Sequence, residues 1–271
     1  MILWFLLGCT SSSFSLQKGV QQPPLRAQND TIFLHVPAGT YEIGTNEESL
    51  PRDERPKQSV YLDEFYLQQY EVTNKQYAEF LNSLGFSFDM AALYVGLRGS
   101  SIRPSELAYT GNRFRASFGY ENHPVATVNY EGARAYCEWI DARLPTEFEW
   151  EAAAFDYRDL NWDNPEEQAQ INQEWKYGAK MPIVAVGSFP PSSLGFYDLI
   201  GNVSEVTSST YKPYPSSDSS IVMDAKKRMV LRGGDWATTL TELRITSRIG
   251  IRPKIRGLFD GGVGFRCARD M

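Results

Sequence analysis

Apolar and polar positions first alternate along this chain and then fall into helical spacing. From Ile32 to Gly44 (IFLHVPAGTYEIG) the alternation is loose and breaks at Pro37, Ala38 and Gly39, which predicts two short strands around a turn. Thr45 to Lys57 is dense in charge and holds Pro51 and Pro56, so it predicts a solvated loop. Ser59 to Tyr70 returns to β-type alternation through Val60, Leu62, Phe65 and Leu67. A helix then starts at Thr73, which with Gln76 three residues on makes a capping box. Behind it Tyr77, Phe80, Leu81 and Leu84 share one apolar face, and Gly85 ends the run.

Gly85 to Asn122 shows no sustained period. A second helix is predicted after HPVATVNY, with Ala133, Tyr136, Cys137 and Ile140 on one stripe. A third begins at Thr146, capped reciprocally with Glu149, and runs into Ala152 to Ala154. Beyond Phe155 the chain stays polar to Pro182, a surface insertion, and short β-like segments then recur between glycines to the end. Few helices, many short strands and long loops predict an α+β domain, not a layered parallel sheet.

The chain is 271 residues long, 42% hydrophobic and 22% charged, ordinary for a globular protein with a large core. A formal charge of −6 argues against nucleic acid as its partner. The 15 Tyr, 15 Phe and 6 Trp suit an irregular fold pinned by large rings.

The first residues, MILWFLLGC, resemble the lipobox of bacterial lipoproteins, in which Cys9 is acylated. They are too few to span a bilayer. Residues 10–30 are polar and without period, which predicts a tether between lipid and domain, the domain itself being 31–271. Thr10 and Ser11, with no Asp beside Cys9, favour the outer membrane in a cell that has two. With Cys9 lipidated, Cys137 and Cys267 remain in an oxidising compartment and are most simply read as a disulfide.

The candidate chemistry is sparse. Glu147, Glu149 and Glu151 point different ways around the first turns of a helix, where the helix dipole and the cap account for them without acid–base catalysis. An ion pair from Glu149 or Glu151 to a C-terminal arginine would bind the two halves together. Leu231 to Trp236 (LRGGDW) sets two glycines before a large ring, a close backbone approach with no phosphate-loop spacing. Arg244, Arg248, Arg252, Arg256 and Arg266 could form an anionic-ligand site or pair with the acidic loops. His35 and His123 stand far apart, without the spacing of a zinc or iron site or of a hydrolase base. From Asp198 to Glu205, two carboxylates flank Gly201 and Asn202, a loop able to offer oxygens to Ca²⁺.

Motifs run in a fixed order through most of the chain. They are VPAGTY with Ile43-Gly44, EVTN with Tyr77 and Phe80, HPV leading to AYCEW, RLPTEFEWE, GFYDLIGNVSE, LRGGDW and GFRC. The ordered set resembles the formylglycine-generating enzyme family, the sulfatase-modifying-factor domain. The resemblance implies an irregular C-type-lectin-like fold, a Cys137–Cys267 disulfide, and structural calcium at Asp198, Gly201, Val203 and Glu205. It also implies copper held by two cysteines after the RGG turn, and there the chain departs. Thr238, Leu240, Leu243 and Ile245 occupy that stretch, and none ligates Cu(I). A second family disulfide is missing, with Ala154 and Ile245 in its places, and Ser204 and Val206 stand for tryptophans near the calcium loop. The helical domain that supplies histidines to the family's iron-dependent relatives is lacking too, so neither copper nor iron is expected.

Two classes of function follow. One is a bacterial envelope lipoprotein whose domain binds a protein or surface ligand or serves as a scaffold. Its models are the family's gliding and secretion lipoproteins and the variable proteins of diversity-generating retroelements. The resemblance then places the ligand on Trp236 to Gly264, at Trp236, Thr238, Arg244, Arg248 and Arg252. The other is an oxidoreductase of the same family acting through a site these motifs do not mark.

Overall fold

A computed structural model of the chain describes residues 25–26, 31–97, 106–155, 183–214, 228–239, 241–254 and 262–271. Cys9, most of the tether, the insertion at 156–182, Leu240 and Arg256 lie outside the described residues.

Strands β1 (Leu25–Arg26), β2 (Ile32–Val36), β3 (Gly39–Ile43), β4 (Gln58–Leu62) and β5 (Phe65–Gln68) open the fold. The turn at Pro37 and Ala38 does not make a hairpin. It sends the chain into another sheet, so that β2 pairs with β5 while β3 pairs with β4. Ser59 to Tyr70 is likewise two strands, parted at Asp63 and Glu64. Leu25 and Arg26, inside the segment read as a tether, pair antiparallel with Phe33 and Ile32.

Both sequence-level capping boxes are formed. Thr73 caps α1 (Asn74–Ser83) with Gln76, and Thr146 caps α4 (Glu147–Ala153) with Glu149. Between them lie α2 (Phe88–Ala91), β6 (Leu107–Thr110), β7 (Arg113–Ala116) and α3 (Tyr130–Trp139). The β6–β7 hairpin, unread in the sequence, turns on Gly111 and Asn112, at φ 59° and 58°. Positive φ at both central residues matches the twist of the flanking strands. Leu84 differs from its expectation: α1 stops before it, and its side chain is exposed.

The second half adds β8 (Ser204–Thr210), β9 (Met229–Arg232), β10 (Ile249–Ile251), β11 (Val263–Gly264) and β12 (Ala268–Asp270). One four-stranded sheet runs β1-β2-β5-β12 and the other β10-β9-β8-β11. The first sheet divides the core. In fully buried β5, Tyr66 faces a cluster with Tyr77, Phe80, Tyr136 and Phe265. Phe65 and Leu67 face a second cluster with Trp150, Phe196, Leu243 and Ile245. A strand buried on both faces carries apolar side chains at consecutive positions, as Phe65, Tyr66 and Leu67 do here.

Cys137 on α3 and Cys267 beside β12 are joined by a disulfide across 130 residues, with Cα atoms 5.6 Å apart and both side chains fully buried. Ala154 and Ile245 are packed in the second core, so apolar contact fills the place of a second bridge.

Gly132 sits inside α3, where alanine would be the better helix former. A Cβ there would lie 2.6 Å from the Tyr77 hydroxyl and 2.7 Å from the Tyr94 carbonyl. Gly132→Ala is therefore expected to lower stability by about 2 kcal/mol through overpacking. Urea unfolding measures it, and an unchanged midpoint would mean that α1 and α3 do not approach this closely.

Candidate functional site

The motif residues converge where α4 meets the C-terminal segment, and they meet as ion pairs. The start of α4 sends three carboxylates in three directions, as the 3.6-residue period requires. Glu147 takes Arg248 through two bonds, Nε to Oε2 at 2.7 Å and Nη2 to Oε1 at 2.9 Å. Glu149 takes Arg143 at 2.8 and 2.6 Å while also accepting from the Thr146 amide. Glu151 takes Arg232, with both side chains fully buried, and accepts from the Gly44 amide at 2.8 Å. Of the two glutamates expected to reach a C-terminal arginine, Glu151 does, whereas Glu149 is held by Arg143 from its own segment.

Arg232 donates to the carbonyls of Ile245, Thr246 and Ser247 and lies 5.3 Å over the Trp150 ring. Gly233 beside it, at φ 87°, passes so close to Leu199 that a Cβ would meet its carbonyl at 2.7 Å. The two glycines thus mark the close approach expected of them.

Glu205 is held hardest. Arg266 reaches both of its oxygens at 2.7 to 3.0 Å, and the Trp150 indole donates to Oε2 at 2.9 Å. The same guanidinium donates to the carbonyls of Gln68, Gln69 and Tyr197. Glu205 is therefore an ion-pair partner in this arrangement. Around it, Asp198 accepts from the Gly187 amide at 2.6 Å, but its Oδ1 is buried without a partner, as is Oε1 of Glu71. Burial pushes the Asp198 carboxyl up to about 6, and burial with the charges of Asp198 and Glu205 pushes Glu71 well above the carboxylate range. Open, crowded oxygens of this kind suit a hard cation. No three His, Cys, Asp or Glu side chains among the described residues converge on one point. In the four-residue calcium set Gly201 and Val203 could offer only backbone carbonyls, and Glu71, unread in the sequence, is the acidic neighbour of Asp198.

The residues expected to bind a ligand are mostly spent on structure. Trp236 is buried and its amide donates to Asn202. Arg248 is buried between Glu147 and the Tyr214 ring, 4.2 Å away. Arg244 pairs with Glu54 at 2.5 Å, and Thr246 donates to the same carboxylate at 2.6 Å. Glu54 is thus buried at 2% exposure, so the loop 45–57 is not wholly solvated. Thr238 exchanges hydrogen bonds with Asp235. Arg252 alone of the five is exposed, and Thr239, Thr241 and Glu242 are exposed on the same segment. Those three were missed because short polar residues in a loop carry no pattern.

Two predictions follow from these charges. Arg266→Met should cost about 3–5 kcal/mol, because it strands a buried carboxylate. Arg134→Met, which breaks exposed pairs to Glu131 and Glu138, should cost under about 1 kcal/mol. Equal losses in urea unfolding would refute the burial argument. Asp235 is the second case, since burial raises its carboxyl to about 6. A raised folded pKa means that the folded state holds the proton more tightly, so this group's stabilisation is complete below about 4 and is lost as pH rises through about 6. Melting should therefore improve from pH 7.5 to 5.5, and Asp235→Asn should shrink that gain; an unchanged pH slope in the variant would exclude Asp235 as its source.

Residues 19–271 match the model of the sulfatase-modifying factor enzyme 1-like domain family. The serine/threonine-protein kinase Pkn1 of Chlamydia trachomatis serovar L2 is 32% identical over 89% of this chain, which spans only 38% of that protein. The formylglycine-generating enzyme of Bos taurus is 28% identical over 92% of this chain and 77% of its own length. A Mus musculus protein named inactive C-alpha-formylglycine-generating enzyme 2 is 28% identical over 99% and 91%. Among solved structures, PvdO from Pseudomonas aeruginosa superposes with a TM-score of 0.69 at 24% identity, covering 93% of this chain and 99% of that one. The Treponema denticola variable protein 1 does so with 0.60 at 20%, covering 88% and 95%. The likeness of these structures establishes the irregular C-type-lectin-like α+β fold.

Proposed function

The chain belongs to the sulfatase-modifying factor enzyme 1-like family, and from that premise we propose a lipid-anchored protein of a bacterial outer membrane whose domain binds a protein or surface ligand without catalysing a reaction. One observation carries the reading: between Asp235 and Arg266 the sequence has no cysteine, histidine or methionine. Copper-dependent oxidation of a thiol needs soft ligands there. Leu243 is instead buried, and the Thr238 hydroxyl is engaged by Asp235. Glu54, Glu147 and Glu151 nearby are each paired with an arginine. A mouse relative named inactive and a variable protein of the same fold make a non-catalytic role consistent with the family. Kinase activity is no part of the proposal, because the match covers 38% of the chlamydial protein.

The ligand would meet the exposed residues of the C-terminal segment, Thr239, Thr241, Glu242 and Arg252. Cys9 and the polar stretch after it support the anchor.

The decisive assay incubates purified protein with Cu(I), O₂ and a cysteine peptide of the sulfatase type. No aldehyde above the metal-only blank is expected by mass spectrometry, and turnover would overturn the non-catalytic reading. In a bacterial host, labelled palmitate should enter the protein and be lost on Cys9→Ala; label retained in that variant would remove the anchor.

A further inference from the structure

The β6–β7 hairpin carries a surface that the site above does not use. Arg113 and Arg115 alternate along β7, cross-strand from Thr110 and Ala108, and both are exposed. Lys75, in the first turn of α1, is also exposed, and its amide donates to the Glu121 carbonyl just past the hairpin. None of these three cationic side chains makes an ion pair or hydrogen bond with a described residue. In a chain of net charge −6, three unpaired cations therefore stand near one hairpin.

Beyond β7 stands Phe118, 98% exposed. Its exposure is built by the backbone. The turn closes through the Tyr120 amide on the Ser117 carbonyl at 2.9 Å, with Gly119 at φ 83°, and the Ser117 amide is tied to Glu106 at 2.8 Å. A phenylalanine left in water forgoes the burial that ordinarily fixes its place. Glu106 and Glu121 lie beside His123 at the base of the turn, and Glu79 stands one turn along α1 from Lys75.

We propose that this face docks on an anionic lipid surface, with Phe118 entering the interface and Lys75, Arg113 and Arg115 meeting headgroup phosphates. A protein partner takes a hot-spot ring within a patch of apolar contacts. Here, among the described residues of the turn, the ring is flanked by Ser117 and Gly119, a shape that a fluid interface accepts without a complementary pocket. Each cation strengthens attraction to an anionic leaflet about fivefold. The docking is independent of Cys9, and its failure leaves the lipid anchor untouched.

The test uses the full chain carrying Cys9→Ala and Phe118→Cys, with an environment-sensitive dye on the thiol at position 118. Cys137 and Cys267 are bonded to each other, so the label is unique. With vesicles of phosphatidylcholine and phosphatidylglycerol the emission should move to the blue, and with phosphatidylcholine alone it should not. Added Arg113→Gln and Arg115→Gln should weaken the apparent affinity about 25-fold, at about fivefold per cation. A dye that stays in water on the anionic vesicles overturns the proposal and leaves the face to an acidic protein. A shift indifferent to both arginines overturns it as well.

Discussion

A buried guanidinium facing a buried carboxylate is the contact on which the rest of this fold turns. Removing either charge from water costs several kcal/mol, and only close, fully hydrogen-bonded geometry returns it. The Glu151–Arg232, Glu147–Arg248 and Glu205–Arg266 pairs all sit in the interior. Each therefore has to be met at hydrogen-bond distance, and that demand sets where α4 lies against the C-terminal segment. Arginine suits the task because its planar fork can serve several acceptors at once. Arg266 alone ties β5, the Tyr197 loop and β8 together.

How much of this was legible depended on whether the interaction was local. Thr73 with Gln76, and Thr146 with Glu149, were readable because a capping box closes within three residues. The α3 stripe was readable for the same reason. The β6–β7 hairpin was missed because Gly111-Asn112 sits among other glycines and serines, and only the positive φ values distinguish it. β3 and β4 were found as strands, but their partners were not, since register is settled by contacts far along the chain. Glu54 looked like a solvated loop residue among many. Its burial depends on Arg244, some 190 residues away. The family resemblance supplied the motifs that meet at the site, but not the Arg266 partner of Glu205, because a motif records which residue is present and not which partner it meets.

The pairs also fix the frame independently of the residues that lie between them. Leu243, Ala154 and Ile245 pack into the second core beside them. On that frame Thr239, Thr241 and Glu242 are exposed.

The Cys137–Cys267 bond closes about half of the polypeptide into a covalent circle. The long polar stretch 156–182 and the segments 215–227 and 255–261 all belong to that circle. A single cut in any of them opens the ring but releases no fragment, and β12 stays paired with β5 and hydrogen-bonded to Arg143. A chain cut at such a position thus remains covalently in one piece, as an unbridged chain would not.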